Sequence, residues 1–428
     1  MTVRSPRVLR AKWVLPIDQP PIEGGWIEID GGHIRSVGRG AVPGPADDLG
    51  HTAILPGLVN AHTHLELGWL SGHVPPAASL VEWIRVLLRE RGTPPADPDP
   101  RTAEAIRQGV AEARATGTVL LGDVSNTLAT PAVWRATGAE GTVFHEVLGF
   151  NAKEPAAVVA NAWERIASAD ASDAGREPGA RADRVERATA VEPPIQYSVA
   201  AHAPYSVSPD LFRAIASARR RTPLTVHLAE SAEEIEFLMT GRGPFRTLLD
   251  DLGVWNRSWQ VPRCDPVEYL KRVNYLHRGC LFVHAVHLGP PALERLRDED
   301  AVIVTCPRSN EWVGAGMPPL AHFYASGARV AVGTDSLASV GSLNLFDELA
   351  AMRRMAPEVT AASLLESATR IGADALGRSR QFGTIAAGKR AALVAVRVPD
   401  GVRDVEECLV GGIGRDAISI VGDWRGEG

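Results

Sequence analysis

Eight short apolar runs, each followed by a stretch of helical pattern, constrain the fold of this 428-residue chain more than any other feature. Strands that alternate with helices form parallel sheets, because the chain has to cross back before the next strand begins. Eight such units are the number in a (β/α)8 barrel. The sequence therefore predicts an α/β fold, a TIM-type barrel with these strands: Ile54–Asn60, Val119–Asp123, Thr142–Leu148, Gln196–Ala201, Leu224–Leu228, Cys280–His284, Val302–Thr305 and Val330–Val332.

Both ends of the chain carry a different, strand-like pattern. Near the N-terminus short runs are separated by turns, and Gly31-Gly32 stands where a hairpin would turn. The apolar run Ala391–Val396 near the C-terminus is again strand-like. We expect both termini to form one small β-sandwich domain beside the barrel, with the boundaries 1–55 and 382–428 for the small domain and 56–381 for the barrel.

Composition excludes several classes of protein. The chain has 45 Lys and Arg against 51 Asp and Glu, so no basic surface for nucleic acid is expected. Charges interrupt the apolar residues at the N-terminus, and no run reaches the roughly 18 apolar residues of a membrane span. The four cysteines form no CxxC pair. We expect a soluble, cytoplasmic protein without a nucleic-acid or membrane partner.

Two segments depart from the alternating pattern. Ala167–Val191 is rich in Ala, Arg, Asp and Gly, which is typical of a surface excursion and compatible with disorder. The long stretch 240–276 holds Trp255, Trp259 and Tyr269 and would lie at the barrel mouth. It is either a lid or a segment packed on the rim.

His62-Thr63-His64 stands at the end of the first run. Two imidazoles at positions i and i+2 of a strand point to the same side, which makes half of a metal site. Further polar residues follow the later runs, where a barrel enzyme builds its active site. Any one of them alone is better explained as a buried, hydrogen-bonded side chain, but together they indicate a site: His202, His227, Glu230, His284, Asn310 and Asp335.

Six segments carry these residues in a specific order along the chain: PGLVNAHTH at 56–64, HAPYS at 202–206, HLAE at 227–230, VHAVHL at 283–288, CPRSN at 306–310 and GTDS at 333–336. This ordered set resembles the amidohydrolase superfamily, in particular its metal-dependent deaminase and chlorohydrolase branch. That branch includes S-adenosylhomocysteine deaminases, guanine deaminases and triazine hydrolases. One departure is Ala392, where the family usually has Asp, and it lies outside the expected barrel.

The resemblance implies a metal site with four protein ligands, namely His62, His64, His227 and Asp335. Imidazole and carboxylate suit Zn²⁺, and Fe²⁺ would satisfy the same ligands. No Lys ends the fourth run, where relatives with two metals carry a bridging Lys, so one metal per chain is expected. Glu146 is a candidate ligand for a second metal, although a supporting role is the preferred interpretation.

The resemblance also implies hydrolytic deamination of an amino-substituted heteroaromatic ring. Zn²⁺ would lower the pKa of its bound water toward about 7 and supply a hydroxide. Asp335 would take the proton from that water and His284 would hold it by a hydrogen bond. Glu230 would protonate the ring nitrogen as general acid.

Five residues are candidates for substrate binding. His202 matches a position that contacts substrate in relatives, and Arg308 and Asn310 offer further polar groups. Glu82 and Trp83 resemble the region that flanks base and ribose in nucleoside deaminases, although Trp83 fits a helix core equally well.

The substrate remains open among several classes. The segments 334–339, 342–345 and 265–270 resemble 6-amino-6-deoxyfutalosine deaminases, which favours that nucleoside or S-adenosylhomocysteine. Guanine, a cytosine-like ring, a chlorinated triazine and a cyclic amide are alternatives on the same machinery. A non-catalytic scaffold of the same fold is a remote alternative. The family resemblance suggests a homodimer.

Overall fold

A computed structural model describes residues 6–92, 99–171 and 193–422 of the chain. Its strands are β1 Arg7–Arg10, β2 Trp13–Val14, β3 Ile22–Glu23, β4 Gly25–Asp30, β5 His33–Arg39, β6 Ala46–Asp48, β7 Thr52–Pro56, β8 Leu58–Thr63, β9 Thr118–Ser125, β10 Gly141–Val147, β11 Ile195–Ala201, β12 Thr225–Leu228, β13 Leu281–His284, β14 Val302–Thr305, β15 Arg329–Val332, β16 Leu393–Arg397 and β17 Ile418–Ile420.

The helices lie mainly between these strands. They are α1 Leu80–Arg91, α2 Pro100–Ala115, α3 Thr130–Thr137, α4 Pro155–Ala171, α5 Pro209–Ser217, α6 Ala232–Thr240, α7 Pro244–Asp251, α8 Pro266–Arg272, α9 Pro290–Asp298, α10 Pro307–Trp312, α11 Leu320–Ala325, α12 Leu345–Met355, α13 Ala361–Ser367, α14 Arg370–Ala375 and α15 Val405–Val410. Short 3-10 helices occupy Leu65–Leu70 and Arg415–Ala417.

Eight parallel strands form two four-stranded sheets, with the orders β11-β10-β9-β8 and β12-β13-β14-β15. Every residue of β9 and β10 is buried, as expected for strands covered on both faces. Backbone hydrogen bonds join the sheets near the carboxyl ends of their outer strands. Asp335 N donates to His62 O at 3.1 Å, and His227 N donates to His202 O at 2.9 Å. The predicted α/β class is confirmed.

The first predicted strand is in fact divided between two sheets. β7 pairs with β16 in an antiparallel ladder, whereas β8 pairs with β9 in the parallel sheet. Gly57 lies between them, and a Cβ on this residue would lie 2.3 Å from Val119 Cγ1. Glycine therefore allows the chain to cross from one sheet to the other, a change that a continuous apolar run does not reveal.

Strands from both ends of the chain meet in one five-stranded sheet of order β17-β16-β7-β2-β3. A four-stranded sheet, β5-β4-β1-β6, comes from the N-terminal region alone. One apolar cluster includes side chains from both sheets, among them Leu9, Ile27, Ile54 and Leu393. The two termini thus share a core that is separate from the strands of the parallel sheets.

The two unusual segments have different outcomes. Residues 167–171 belong to α4, and 172–191 lie outside the described residues. The stretch 240–276 contains α7 and α8, and its tryptophans pack against aromatic side chains outside the stretch. Trp259 stacks on Phe237 with ring centroids 4.7 Å apart, and Trp255 stacks on Phe150 at 5.5 Å. Among the helices described, none has the length and apolar character needed to cross a membrane.

A buried carboxylate joins β10 to the segment that leads into β16. Glu140 Oε2 accepts a hydrogen bond from Arg378 Nη2 at 3.2 Å and another from Arg390 Nη1 at 2.7 Å. Glu140 and Arg378 are both buried. Burial weakens the screening of this charge pairing by water, so the loss of one partner has a large cost.

We expect Glu140→Ala to lower the free energy of unfolding by about 3–5 kcal/mol, because two guanidinium groups lose the carboxylate that they share. Urea denaturation monitored by circular dichroism measures the change. Glu104→Ala is the control, since Glu104 pairs with Arg107 on the exposed surface of α2. Equal shifts of the two variants would contradict the structural role of Glu140.

Candidate active site

Three histidine side chains converge at the carboxyl ends of β8 and β12. His64 Nε2 lies 3.1 Å from His62 Nε2 and 3.3 Å from His227 Nε2. Tetrahedral ligands at about 2.0–2.1 Å from one ion are separated by roughly 3.3 Å, so the spacing fits a single divalent metal. Asp335 Oδ1 lies 3.6 Å from His64 Nε2 and 3.7 Å from His62 Nε2, which adds a carboxylate to the set.

The environment of His62 and His227 favours the form of imidazole that binds metal. His227 Nδ1 donates to the carbonyl of His202 at 2.9 Å, which leaves the lone pair of Nε2 facing His62 and His64. Burial, together with neighbouring imidazoles, lowers the pKa of His62 well below its usual value and that of His227 to about 3. Neutral rings with free lone pairs are the state that ligation requires.

Asp335 follows β15 in a strained backbone conformation. Its φ is +63°, and its Oδ2 accepts a hydrogen bond from Ser309 Oγ at 2.6 Å. Gly333 lies two residues before Asp335, and a Cβ atom on Gly333 would lie 2.8 Å from His62 Cβ. The glycine permits β15 to approach β8 closely, and the serine orients the carboxylate toward the histidines. Such strain persists only where surrounding contacts enforce it.

Glu230 and His284 form a second pair beside the ligand cluster. His284 ends β13 with a φ of +74°, and its Nδ1 donates to Asn310 Oδ1 at 2.8 Å. The other ring nitrogen, Nε2, lies 3.5 Å from Glu230 Oε1. Burial, and then the charge of Asp335, raises the pKa of Glu230 well above its ordinary value. Burial therefore favours the protonated form of Glu230, which is the form that can donate a proton.

Several of these groups line one cavity of about 330 Å³. Its polar part contains His64, His202, His227, Glu230, His284 and Asp335. The opposite wall is apolar and comes largely from α1 and α7, including Leu80, Trp83, Ile84, Phe245, Leu248 and Leu249. Arg85 and Asp251 join these two helices by a 2.6 Å ion pair. A cavity with an apolar wall and few polar groups is typical of a small-molecule site.

The structure brings only some of the expected substrate-binding residues to this cavity. Trp83 and His202 line it. Glu82 is exposed on α1 and does not line it, because consecutive helical residues point about 100° apart. Asn310 is fully buried and contacts His284 instead. Arg308 Nη1 contacts Ser342 and lines a neighbouring cavity of about 570 Å³.

Other site residues were not identified from the sequence. The carboxylate of Glu66 accepts hydrogen bonds from Ser125 Oγ, Asn126 N, Thr127 N and Thr127 Oγ1, and Asn126 lines the cavity. The predicted second strand ends at Asp123, whereas β9 continues to Ser125. The rule that sites follow strand ends would have indicated Asn126 if the strand had been extended by two residues.

A family model described as "Amidohydrolase family" matches residues 53–411. The chain belongs to the amidohydrolase family. The resemblance to this family, predicted from the motifs, is thus confirmed. The predicted enzyme class, a hydrolase of non-peptide carbon–nitrogen bonds, is confirmed as well.

This amidohydrolase is similar to several proteins that are named as deaminases. Aminodeoxyfutalosine deaminase of Deinococcus radiodurans is 29% identical over 365 residues, which cover 80% of this chain and 78% of that protein. The 5-methylthioadenosine/S-adenosylhomocysteine deaminase of Desulforudis audaxviator is 27% identical over 408 residues, which cover 91% of this chain and 85% of that protein. The crystal structure of an adenosine deaminase from Xanthomonas campestris with bound zinc has a TM-score of 0.75 at 23% identity. The match covers 96% of this chain and 90% of that chain.

We expect Ser309→Ala to weaken metal binding by about 10–100-fold, because Asp335 loses the hydrogen bond that orients it. Competition with a chromogenic chelator measures the affinity. Ser168→Ala removes an exposed hydroxyl of α4 and serves as control. Unchanged metal affinity in the Ser309 variant would show that the ligand geometry does not need this contact.

Proposed function

We propose that this amidohydrolase is a metal-dependent deaminase of an adenine-type nucleoside, such as 6-amino-6-deoxyfutalosine or S-adenosylhomocysteine. The observation that carries the proposal is the meeting of the His62, His64 and His227 ring nitrogens with Asp335, beside the Glu230–His284 pair. The names of the two relatives support this substrate class. The apolar wall around Trp83 suits a flat purine ring.

Zn²⁺ is the metal that we propose, at one ion per chain, and Fe²⁺ is the alternative. When bound, the ion would supply a nucleophilic water of lowered pKa. Glu146, His202 and His227 form a second group of potential ligands. His227 offers no nitrogen to it, because Nδ1 donates to His202 O and Nε2 faces the first group. One metal is therefore the better fit.

The roles of the remaining residues follow from their protonation and position. Asp335 accepts a proton from the attacking water, and His284 Nε2 orients that water. Glu230 gives its proton to the ring nitrogen while the ring carbon becomes tetrahedral. Asn310 accepts from His284 Nδ1 and so keeps Nε2 directed into the cavity. Proton transfer through the carboxylates then releases ammonia.

We further propose that the eight parallel strands close into a (β/α)8 barrel of residues 56–381. The hydrogen bonds Asp335 N to His62 O and His227 N to His202 O support closure, since they join the outer strands of the two sheets. Residues 1–55 and 382–428 would form the β-sandwich, and the shared apolar cluster of their sheets supports that assignment. A homodimer and a cytoplasmic location stay predictions.

Elemental analysis and ammonia release together test the proposed function. Protein purified after expression with zinc should contain about one metal per chain and release ammonia from an adenine-type nucleoside. One metal without ammonia from any such nucleoside would move the reaction to a cyclic amide or chlorinated triazine. Absence of metal and of metal binding would favour a non-catalytic scaffold.

We expect Glu230→Gln to retain metal but to lose about 10²–10⁴-fold in kcat, because an amide cannot protonate the ring nitrogen. Steady-state ammonia release and metal content are measured on the same preparation. Glu236→Gln, an exposed position on α6, is the control. Near-normal kcat in the Glu230 variant would remove this residue from the acid role.

A further inference from the structure

We infer that Glu146 and His202 form a hydroxyl-binding subsite that selects nucleosides with an intact vicinal diol. The inference rests on the proposed function, because it concerns how the sugar of the proposed substrate is held. Glu146 lies on β10 and His202 directly follows β11, whereas Glu230 follows β12, His284 ends β13 and Asp335 follows β15. The cavity therefore has a second polar region beside His227, formed by two side chains that have no part in the proposed reaction.

Glu146 presents a buried carboxylate with unused acceptor capacity. The residue is 8% exposed and lines the cavity. Its Oε2 accepts from Asn126 Nδ2 at 3.0 Å. Its Oε1 lies 3.6 Å from His227 Nδ1, but that N–H already donates to His202 O. Among the described residues no donor fills Oε1, and a buried carboxylate in this condition is stabilised by donors from a ligand.

His202 adds a second acceptor to this region. The Ser206 hydroxyl donates to the carbonyl of Ala203 at 3.2 Å, so its oxygen accepts from His202 Nδ1 at 2.6 Å. With the hydrogen on Nδ1, Nε2 carries a lone pair. The ring lines the cavity, and a nitrogen of it lies within 4.8 Å of a Glu146 carboxylate oxygen.

Two neighbouring acceptors are complementary to two neighbouring hydroxyl donors. A vicinal diol, as in ribose, offers one O–H to each acceptor at about 2.7 Å. A hydrogen bond to an ionised group contributes more than one between neutral groups, so the contact with Glu146 should dominate. The loss of either hydroxyl would leave a buried acceptor unpaired, which is the basis for discrimination against deoxy substrates.

Asn126 is the positioning residue of this subsite. Glu66 holds the backbone of the loop after β9, with Asn126 N donating to Glu66 Oε2 at 3.0 Å and Thr127 N donating at the same distance. The loop in turn aims Asn126 Nδ2 at Glu146. The buried Glu66 carboxylate therefore fixes the position of Asn126, and the Asn126 amide in turn orients the Glu146 carboxylate that faces the substrate.

The test compares adenosine with 2′-deoxyadenosine and 3′-deoxyadenosine, as substrates by kcat/KM and as competitive ligands where turnover is slow. The wild-type protein should prefer adenosine at least about 10-fold. Glu146→Gln should lower kcat/KM by about 10–100-fold for adenosine and for the deoxynucleoside that keeps the hydroxyl bound by Glu146, and should change the other deoxynucleoside by less than about 3-fold. Asn126→Ala should reduce the preference in the same direction but less.

Glu154→Gln, an exposed glutamate just before α4, is the matched control and should keep the preference. An equal loss on all three nucleosides, or a loss of metal in Glu146→Gln, would overturn the inference. So would loss of the preference in Glu82→Gln with Glu146→Gln unaffected. Absence of ammonia from these nucleosides, from 6-amino-6-deoxyfutalosine and from S-adenosylhomocysteine with wild-type protein would instead overturn the proposed function, so the two failures are distinguishable.

Discussion

The candidate site depends on the close approach of β15 to β8. Asp335 N donates to His62 O, and glycine at 333 leaves no side chain where a Cβ would lie 2.8 Å from His62 Cβ. This contact brings the Asp335 carboxylate beside His62 and His64. Asp335 also has a positive φ, which an isolated residue would avoid and which this packing maintains.

Burial then sets the protonation of the site. Removal from water disfavours charge, so it lowers the pKa of His62 and His227 and raises that of Glu230. One physical effect thereby favours neutral rings at His62 and His227 and the protonated form of Glu230 in the same cavity. Hydrogen bonds select which atoms are presented, as His202 O does for His227 and Asn310 does for His284.

Prediction from sequence was most successful where the signal was local or strictly ordered. Alternating apolar runs indicated the α/β class, and the motifs indicated the amidohydrolase family. Prediction from the sequence was limited where the direction of a side chain decides its contacts. Glu82 and Trp83 are adjacent in sequence but only Trp83 lines the cavity. Asn310 was expected to bind substrate, yet its amide oxygen holds His284.

The sequence by itself determined the order of strands and helices and the residue types at the strand ends, because these depend on backbone periodicity and on the linear order of the motifs. Only the tertiary structure decided which of those side chains meet. Asn126 reaches Glu146, and Glu146 lies near His202, because parallel pairing places β9, β10 and β11 side by side. Such contacts arise from packing between distant segments, which spacing along the chain does not encode.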